Sequence, residues 1–406
     1  GSQTLKLTAS DGAFGDNFGI AVDMSNTLTI VGASYESHPV GGDSVGAQAG
    51  AAYIFDTVTG VEVAKIQAED GFHDSFYGDD VAINNDWALV GAFRDSPVDI
   101  AQGAVYVYDL TNGLPYQETK IIPSDHENEG RFGSEVALSG DYAIIAAEGS
   151  NKVYVFDLTT GLELYQLSSP TDLPHTGGDS SYGSAVAAEG DTFVVGASNH
   201  RHFCCGTGPG AFYVHDLTTG QLKGELTASD GAAQDRFGEA LAITGNQVLV
   251  GASGDDDNGS SSGSAYTFEV ALGHTYCSPA EDNSNNFPAT IEAYGSTIAA
   301  WNYFELRANM WVSYETGYIM ASMNQDFIPF PGGSEGNLCL GSGKARFTSQ
   351  AMNGGLDGKI TVVIDLTNIP TNPAQPVLAG QNWNWQLWYR DGTESNFSDA
   401  VSVNFN

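Results

Sequence analysis

The stretch GAAYIFDTVTG, residues 50 to 60, reads as a short apolar strand that runs into a hairpin turn ending on glycine, the residue a positive φ favours. Four further segments repeat its strand: GAVYVYD from 103, NKVYVFD from 151, GAFYVHD from 210 and GSAYTFE from 263. Three of these continue as LTNG, LTTG and LTTG. Ahead of each lie the same parts in the same order: an aromatic-Gly pair, an apolar strand, a tight turn, a second strand ending in small residues, and a loop of variable length. The aromatic-Gly pairs are Phe18-Gly19, Tyr77-Gly78, Phe132-Gly133, Tyr182-Gly183 and Phe237-Gly238, so the repeat recurs roughly every 50 to 60 residues. Four short antiparallel strands per repeat make one propeller blade.

On these motifs, with FG…VGAS at Phe18 to Ser34 and Phe237 to Ser253 and FVVGAS at Phe193 to Ser198, residues 4 to 270 resemble the FG-GAP repeat family, the propeller type also found in integrin α chains. The resemblance implies an extracellular binding or adhesion propeller. It does not carry calcium over. The family's ligand loop is an Asp-rich run between the first two strands, whereas those turns are here DMSN, INND, LSGD, AEGD and ITGN, too poor in carboxylates for an ion that takes six to eight oxygens. The opening LKLTASDGA matches GELTASDGA at Gly224 to Ala232, and the last repeat has no fourth strand of its own. Thr4 to Thr8 are therefore expected to complete the sheet containing Tyr266 and to close a ring of five blades.

Strand order sorts the loops onto two faces. One carries only tight turns; the other carries the variable loops and the acidic connectors between blades. Long loops on a rigid scaffold are where binding residues concentrate. The candidate ligand-binding segment is His200, Arg201, His202, Phe203, Cys204 and Cys205, in which a bond between adjacent cysteines would form a strained, flat ring. A loop staple without ligand and a Cys/His metal site are the competing readings, although zinc ligands are usually spaced. Asp255, Asp256 and Asp257 form the candidate calcium run, weighed against a solvated loop. The pairs Asp11/Asp16, Asp70/Asp74, Asp125/Glu129 and Asp230/Asp235 fit either cation clamps or Asp-Gly turn chemistry, the latter favoured.

Fifty acidic residues against fourteen basic ones leave a formal net charge of -36, which argues against nucleic acid and anionic membranes as partners. No apolar run reaches the length of a membrane span, and no signal peptide opens the sequence; a secreted protein would have lost one. A Ser-His-Asp set, a phosphate loop and a zinc motif are missing. Asp79, Asp80, Glu135 and Glu239 follow the aromatic-Gly pairs, and Asp80 with Glu135 would be the carboxylates of a propeller glycosidase, an alternative to the expected non-enzyme.

After Val270 the repeats stop, and residues 271–406 read as a β-sandwich with strands at Ala289–Tyr294, Gly317–Ser322, Ala345–Ala351, Lys359–Leu366, Trp383–Tyr389 and Ala400–Phe405. YCSP, LCLGSGKARF and VVIDLTNIP resemble a C-terminal domain carried by many secreted bacterial multidomain proteins. Cys277 and Cys339 are expected to pair, which implies an oxidising compartment. Trp383 and Trp385 share a strand face and fit core packing better than sugar stacking. The expectation is a secreted, all-β protein: a five-bladed propeller and a sandwich that recognise a glycan or an extracellular protein, with self-association into a filament or surface layer as the rival.

Overall fold

A computed structural model describes residues 4–37, 49–70, 74–96, 98, 100–125, 127–169, 181–200, 208–257, 259–271, 273–277, 280–295, 302, 304–334 and 336–405. Five antiparallel sheets follow one another among them, each a meander. The first holds β1 (Val22–Met24), β2 (Leu28–Ala33), β3 (Ala51–Asp56) and β4 (Glu62–Ile66). The second holds β5 (Val81–Ile83), β6 (Trp87–Ala92), β7 (Ala104–Asp109) and β8 (Gln117–Ile121). The third holds β9 (Phe132–Ser139), β10 (Tyr142–Ala147), β11 (Lys152–Asp157) and β12 (Leu162–Ser168). The fourth holds β13 (Tyr182–Glu189), β14 (Thr192–Ala197), β15 (Ala211–Asp216) and β16 (Leu222–Leu226). The last has three strands, β17 (Ala240–Thr244), β18 (Gln247–Ala252) and β19 (Ser264–Glu269).

The innermost strands β1, β5, β9, β13 and β17 neighbour one another in that order, so the sheets stack as propeller blades. An apolar core fills each gap. Between the first two blades, for example, Ile30 and Ile54 meet Tyr77, Val81, Val90 and Tyr106. The small residues of the repeat are explained by how closely the blades approach. A Cβ on Gly32 would stand 2.0 Å from the Gly78 carbonyl oxygen, one on Gly91 2.2 Å from that of Gly133, and one on Gly196 2.0 Å from that of Gly238. The aromatic before each of these glycines lies across its own blade, as Phe132 does edge-on to Tyr154 at 5.2 Å. Its backbone N–H donates to the loop end of the preceding blade, Phe132 to Gln102 and Phe237 to Pro209.

The expected seam is not formed in this way. Residues 4–9 belong to no strand, and β19 pairs only with β18 among the described residues. Leu7 and Ala9 pack instead over the outer face of the first blade, against the cluster of Val31, Ala33, Ala51, Tyr53 and Phe55. Gly251, which holds the place of Gly32 and Gly91, meets only Ala240 of its own blade, and nothing lies within 4 Å of a Cβ on Gly19. The contact that joins blades one to four to their successors is thus missing between the fifth and the first.

In the C-terminal module, β20 (His274–Tyr276), β30 (Glu394–Phe405), β29 (Gln381–Asp391), β23 (Thr316–Ser322) and β26 (Ala345–Arg346) form one sheet in that order, with β27 (Met352–Asn353) also on β23. β21 (Thr290–Gly295), β22 (Phe304–Asn309) and β28 (Lys359–Val363) form a second, and β24 (Gln325–Ile328) pairs with β25 (Leu338–Leu340). Residues of both main sheets share one core that includes Ile291, Leu306, Val362 and Leu387. Trp383 and Trp385 are fully buried in it, as core packing requires. The sequence places six strands near these positions but not β20, β22, β24, β25 or β27, and of the expected strand Ala345–Ala351 only Ala345–Arg346 is extended, with Thr348–Gln350 a 3-10 turn. Cys277 and Cys339 are disulfide-bonded, with Cα atoms 6.3 Å apart. Closing a loop of this separation stabilises the module by about 4 kcal/mol on chain-entropy grounds.

The glycine contacts set a quantitative expectation. In urea titrations Gly91→Ala, which forces a methyl against a carbonyl, is expected to lose about 1–3 kcal/mol. Gly251→Ala, at the same repeat position but without a neighbouring blade in this structure, is expected to change the stability of the isolated chain by less than about 1 kcal/mol.

Candidate functional site

In four of the five blades the variable loop leaves through the same neck; in the third it is the short 3-10 turn Glu148–Ser150. The third residue past the end of the second strand donates its N–H back to that strand's last residue: Glu36 to Ala33, Asp95 to Ala92, His200 to Ala197 and Asp255 to Ala252. Its carbonyl then accepts from the glycine before the third strand, Gly50, Gly103, Gly210 or Gly263. The neck closes the base of the loop, so loop length can vary without moving the blade.

In the first, second and fifth blades a polar latch holds the neck to the connector entering the same blade, and in the third the same kind of latch lies within the connector. In the second blade the Tyr106 hydroxyl lies 2.7 Å from Asp70 and from Asp95, and Lys120 lies 2.8 Å from both carboxylates. In the first, Tyr53 donates to Asp11 while Lys65 bridges Asp11 and Glu36. In the third, Tyr154 donates to Asp125 and Lys152 bridges Asp125 and Glu127. Lys65 and Lys120 stand directly opposite Tyr53 and Tyr106 on the adjoining strand. Burial pushes the Asp70 carboxyl up, but hydrogen bonds from Lys120 and Tyr106 outweigh it and leave the group below its ordinary range. The leading aspartates of the acidic pairs are therefore latch residues. Two of the trailing ones, Asp16 and Asp235, accept from Ala13 and Ala232 in local turns, the favoured sequence reading.

These latches decide where the expected site residues stand. His200 is buried, with its Nδ1 3.2 Å from the Tyr213 hydroxyl and its Nε2 3.2 Å from Glu225, so it takes the neck position of Asp95 rather than that of a surface contact. Arg201, His202, Phe203, Cys204 and Cys205 lie outside the described residues. Asp255 is likewise a buried neck residue that accepts from Tyr266 at 2.7 Å, while Asp256 and Asp257 are exposed. Among the described residues no group of three His, Cys, Asp or Glu side chains is placed to hold a metal ion.

The residue before each aromatic-Gly pair adopts a left-handed conformation in every blade: Asn17, Phe76, Arg131, Ser181 and Arg236, with φ between 50° and 57°. For Phe and Arg that conformation costs about 1 kcal/mol, which the blade geometry imposes. These side chains stand at the loop rim. Phe76 meets Tyr35 edge-on at 5.2 Å and stacks on Phe93 at 5.3 Å, and the Arg94 guanidinium lies 5.1 Å from the Phe76 ring centre. The rings are half-buried and Arg94 is exposed. Of the four arginines in residues 4–270, the three that are described, Arg94, Arg131 and Arg236, all occupy this rim. Lysines 65, 120 and 152, by contrast, are consumed in latches. The sequence reading missed this patch; the residues flanking each aromatic-Gly pair carry the signal.

Below the rim, the carboxylates on the inner strands tie blades together. Asp23 accepts from the Ile83 N–H and Asp80 from the Val136 N–H, each at 2.7 Å, and Glu189 accepts from Gly245 at 2.8 Å. Burial, with the charges of Asp79 and Asp23 adding to it against two backbone N–H donors, pushes Asp80 up to about 7. Glu135 is also raised, first by burial and then by Asp80. Asp80 thus serves as an inter-blade acceptor. Glu239 bonds Ser253 and pairs with Arg236 at 3.4 Å.

The FG-GAP repeat profile matches residues 2–55, 61–108, 116–156 and 222–268, which take in the inner three strands of the first, second, third and fifth blades, the last three matches each starting on the outer strand of the blade before. No curated protein matches the chain in sequence. Among solved structures, a chain of Kuenenia stuttgartiensis hydrazine synthase aligns with a TM-score of 0.39 at 11% identity, covering 74% of this chain and 79% of that one.

Two measurements probe this polar framework. Lys120→Met leaves the buried Asp95 facing Asp70 without a cation and is expected to cost about 3–5 kcal/mol, against less than about 0.5 kcal/mol for the exposed Lys359→Met. Asp80, whose folded pKa of about 7 exceeds its unfolded value, contributes stability below pH 4 that is lost as pH rises through 7. Asp80→Asn is therefore expected to raise Tm relative to wild type at pH 8 and not at pH 4.

Proposed function

From the premise that this chain belongs to the FG-GAP repeat propellers, we propose that it is a secreted, non-catalytic recognition protein that binds an extracellular glycan or protein partner on its loop rim. The observation that carries this reading is the patch of Tyr35, Phe76, Phe93 and Arg94. In a chain of net charge -36, the described propeller arginines stand on the one face where loop lengths vary. Stacked rings offer sugar faces or flat side chains an apolar surface, and guanidinium groups receive carboxylate or sulfate bidentately. The disulfide and the family support an extracellular setting. The segment Arg201–Cys205 extends the same rim in sequence and belongs to the proposed contact surface.

The glycosidase alternative would rest on Asp80 and Glu135, and Asp80 accepts the Val136 N–H as an inter-blade tie. A glycan and matrix-protein array tests the proposal. Binding to acidic glycans or to one matrix protein is expected, reduced about tenfold or more by Arg94→Ala and by Phe76→Ala, since each contact contributes on the order of 1–2 kcal/mol. Binding indifferent to both substitutions, or turnover of a polysaccharide abolished by Glu135→Gln, would contradict it.

A further inference from the structure

We infer that the outer corner between the second and third blades, on the tight-turn face, is a binding site for a hydroxyphenyl group. A cavity of about 280 Å³ opens there, walled by Trp87, Val107, Phe156 and Leu158, with Thr119 and Gly161 at its mouth. An apolar cavity of about 150 Å³ already holds benzene, so one substituted ring fits. The next joint shows what such a corner takes. Tyr165 stands opposite Val155 as Thr119 stands opposite Val107, so the two share one repeat position. The Tyr165 ring packs on the core of the third–fourth joint with Tyr142, the counterpart of Trp87. A Cβ on Gly220 would stand 2.9 Å from that ring, whereas nothing lies within 4 Å of one on Gly161, the same turn position one blade earlier. The Tyr165 hydroxyl donates to the Leu217 carbonyl, and Leu158 follows Asp157 as Leu217 follows Asp216.

Where the other joints carry a small residue at this position, another side chain comes in. The first–second joint has Ala64 there, and Tyr116, from the longer hairpin of the second blade, packs on its core. The fourth–fifth joint has Gly224, and Lys223 donates to Thr192, again the counterpart of Trp87, and to the Gly273 carbonyl. At the second–third joint Thr119 and Gly161 coincide, and neither reaches across the corner. Its walls are set in advance: the Trp87 indole N–H donates to Asp141 across the joint at 2.9 Å, and Phe156 and Leu158 are buried. A ring laid along the indole, in the place Tyr165 takes one joint later, directs its hydroxyl at the Leu158 carbonyl. Asp109, at the rim, accepts from Thr111 and Asn112, and its carboxylate repels an anionic ring while admitting a neutral or cationic one. A free phenol and the tyrosine side chain of a partner protein present the same group. The site lies on the face opposite the loop rim and is independent of recognition there.

Isothermal titration of the full chain with para-cresol tests it, with toluene as the ring that lacks the hydroxyl. One saturable para-cresol site is expected, with toluene weaker by about tenfold or more because the carbonyl is left unpaired. Thr119→Tyr, which rebuilds the Tyr165 plug at an exposed position, should weaken para-cresol by about tenfold or more while circular dichroism stays unchanged. Thr119→Ser should remain within about twofold of wild type. The capped peptide acetyl-Gly-Tyr-Gly-amide separates the two sources: binding at least as tight as para-cresol assigns the group to a protein's tyrosine, and weaker binding assigns it to a free phenol. The inference is overturned by folded wild type with no saturable para-cresol site, by toluene binding as tightly as para-cresol, or by a folded Thr119→Tyr variant with unchanged affinity.

Discussion

The structure depends on one steric constraint: successive blades touch backbone to backbone. Where Gly32 faces Gly78, Gly91 faces Gly133 and Gly196 faces Gly238, no room exists for a methyl group. That approach seats the apolar face of each sheet on the next and aligns the blade ends. Alignment in turn places all the loop necks on one rim and all the tight turns on the other. The joint between the third and fourth blades takes Ala146 at this position against Gly183, and Tyr182 there is as fully buried as Tyr77, Phe132 and Phe237.

The rim is built in two tiers. Necks fix the base of four loops through backbone bonds, and Tyr–Asp–Lys sets in the first three blades tie the connectors beside them. Above them, the residues before the aromatic-Gly pairs are forced into left-handed geometry, and the side chains that result include Phe76, Arg131 and Arg236. The same repeat that stabilises the scaffold therefore distributes chemistry around its mouth. Acidic groups are divided similarly: Asp70, Asp95 and Asp125 spend their charge on lysines and tyrosines, while Asp23 and Asp80 receive backbone N–H groups between blades.

How much of this was legible in the sequence follows from range. The blade pattern was legible because aromatic-Gly pairs, hairpin turns and short apolar strands are local signals repeated in phase. The Cys277–Cys339 bond and the burial of Trp383 and Trp385 were legible for similar reasons. Ring closure was not, since the match between the N-terminal segment and a fourth strand says that two edges fit, not that they meet in one chain. Nor was the role of His200: adjacency to cysteines suggested a ligand, whereas its fixed distance from Ala197 made it a neck residue, a relation visible only once Glu36, Asp95 and Asp255 are superposed in register. The Phe76 and Arg94 patch joins three segments separated in sequence, and no local pattern brings them together.

The central claim is that a rigid set of necks carries loops free to differ. Amide hydrogen exchange read by mass spectrometry tests it most directly. The N–H groups of Glu36, Asp95 and Asp255, and of Gly50, Gly103 and Gly263, should be protected to nearly the degree of the strands they join, with exchange rising steeply on entering the loops. Necks that exchange as fast as the loop residues between them would contradict the account, because the rim would then have no fixed base from which to present a binding surface.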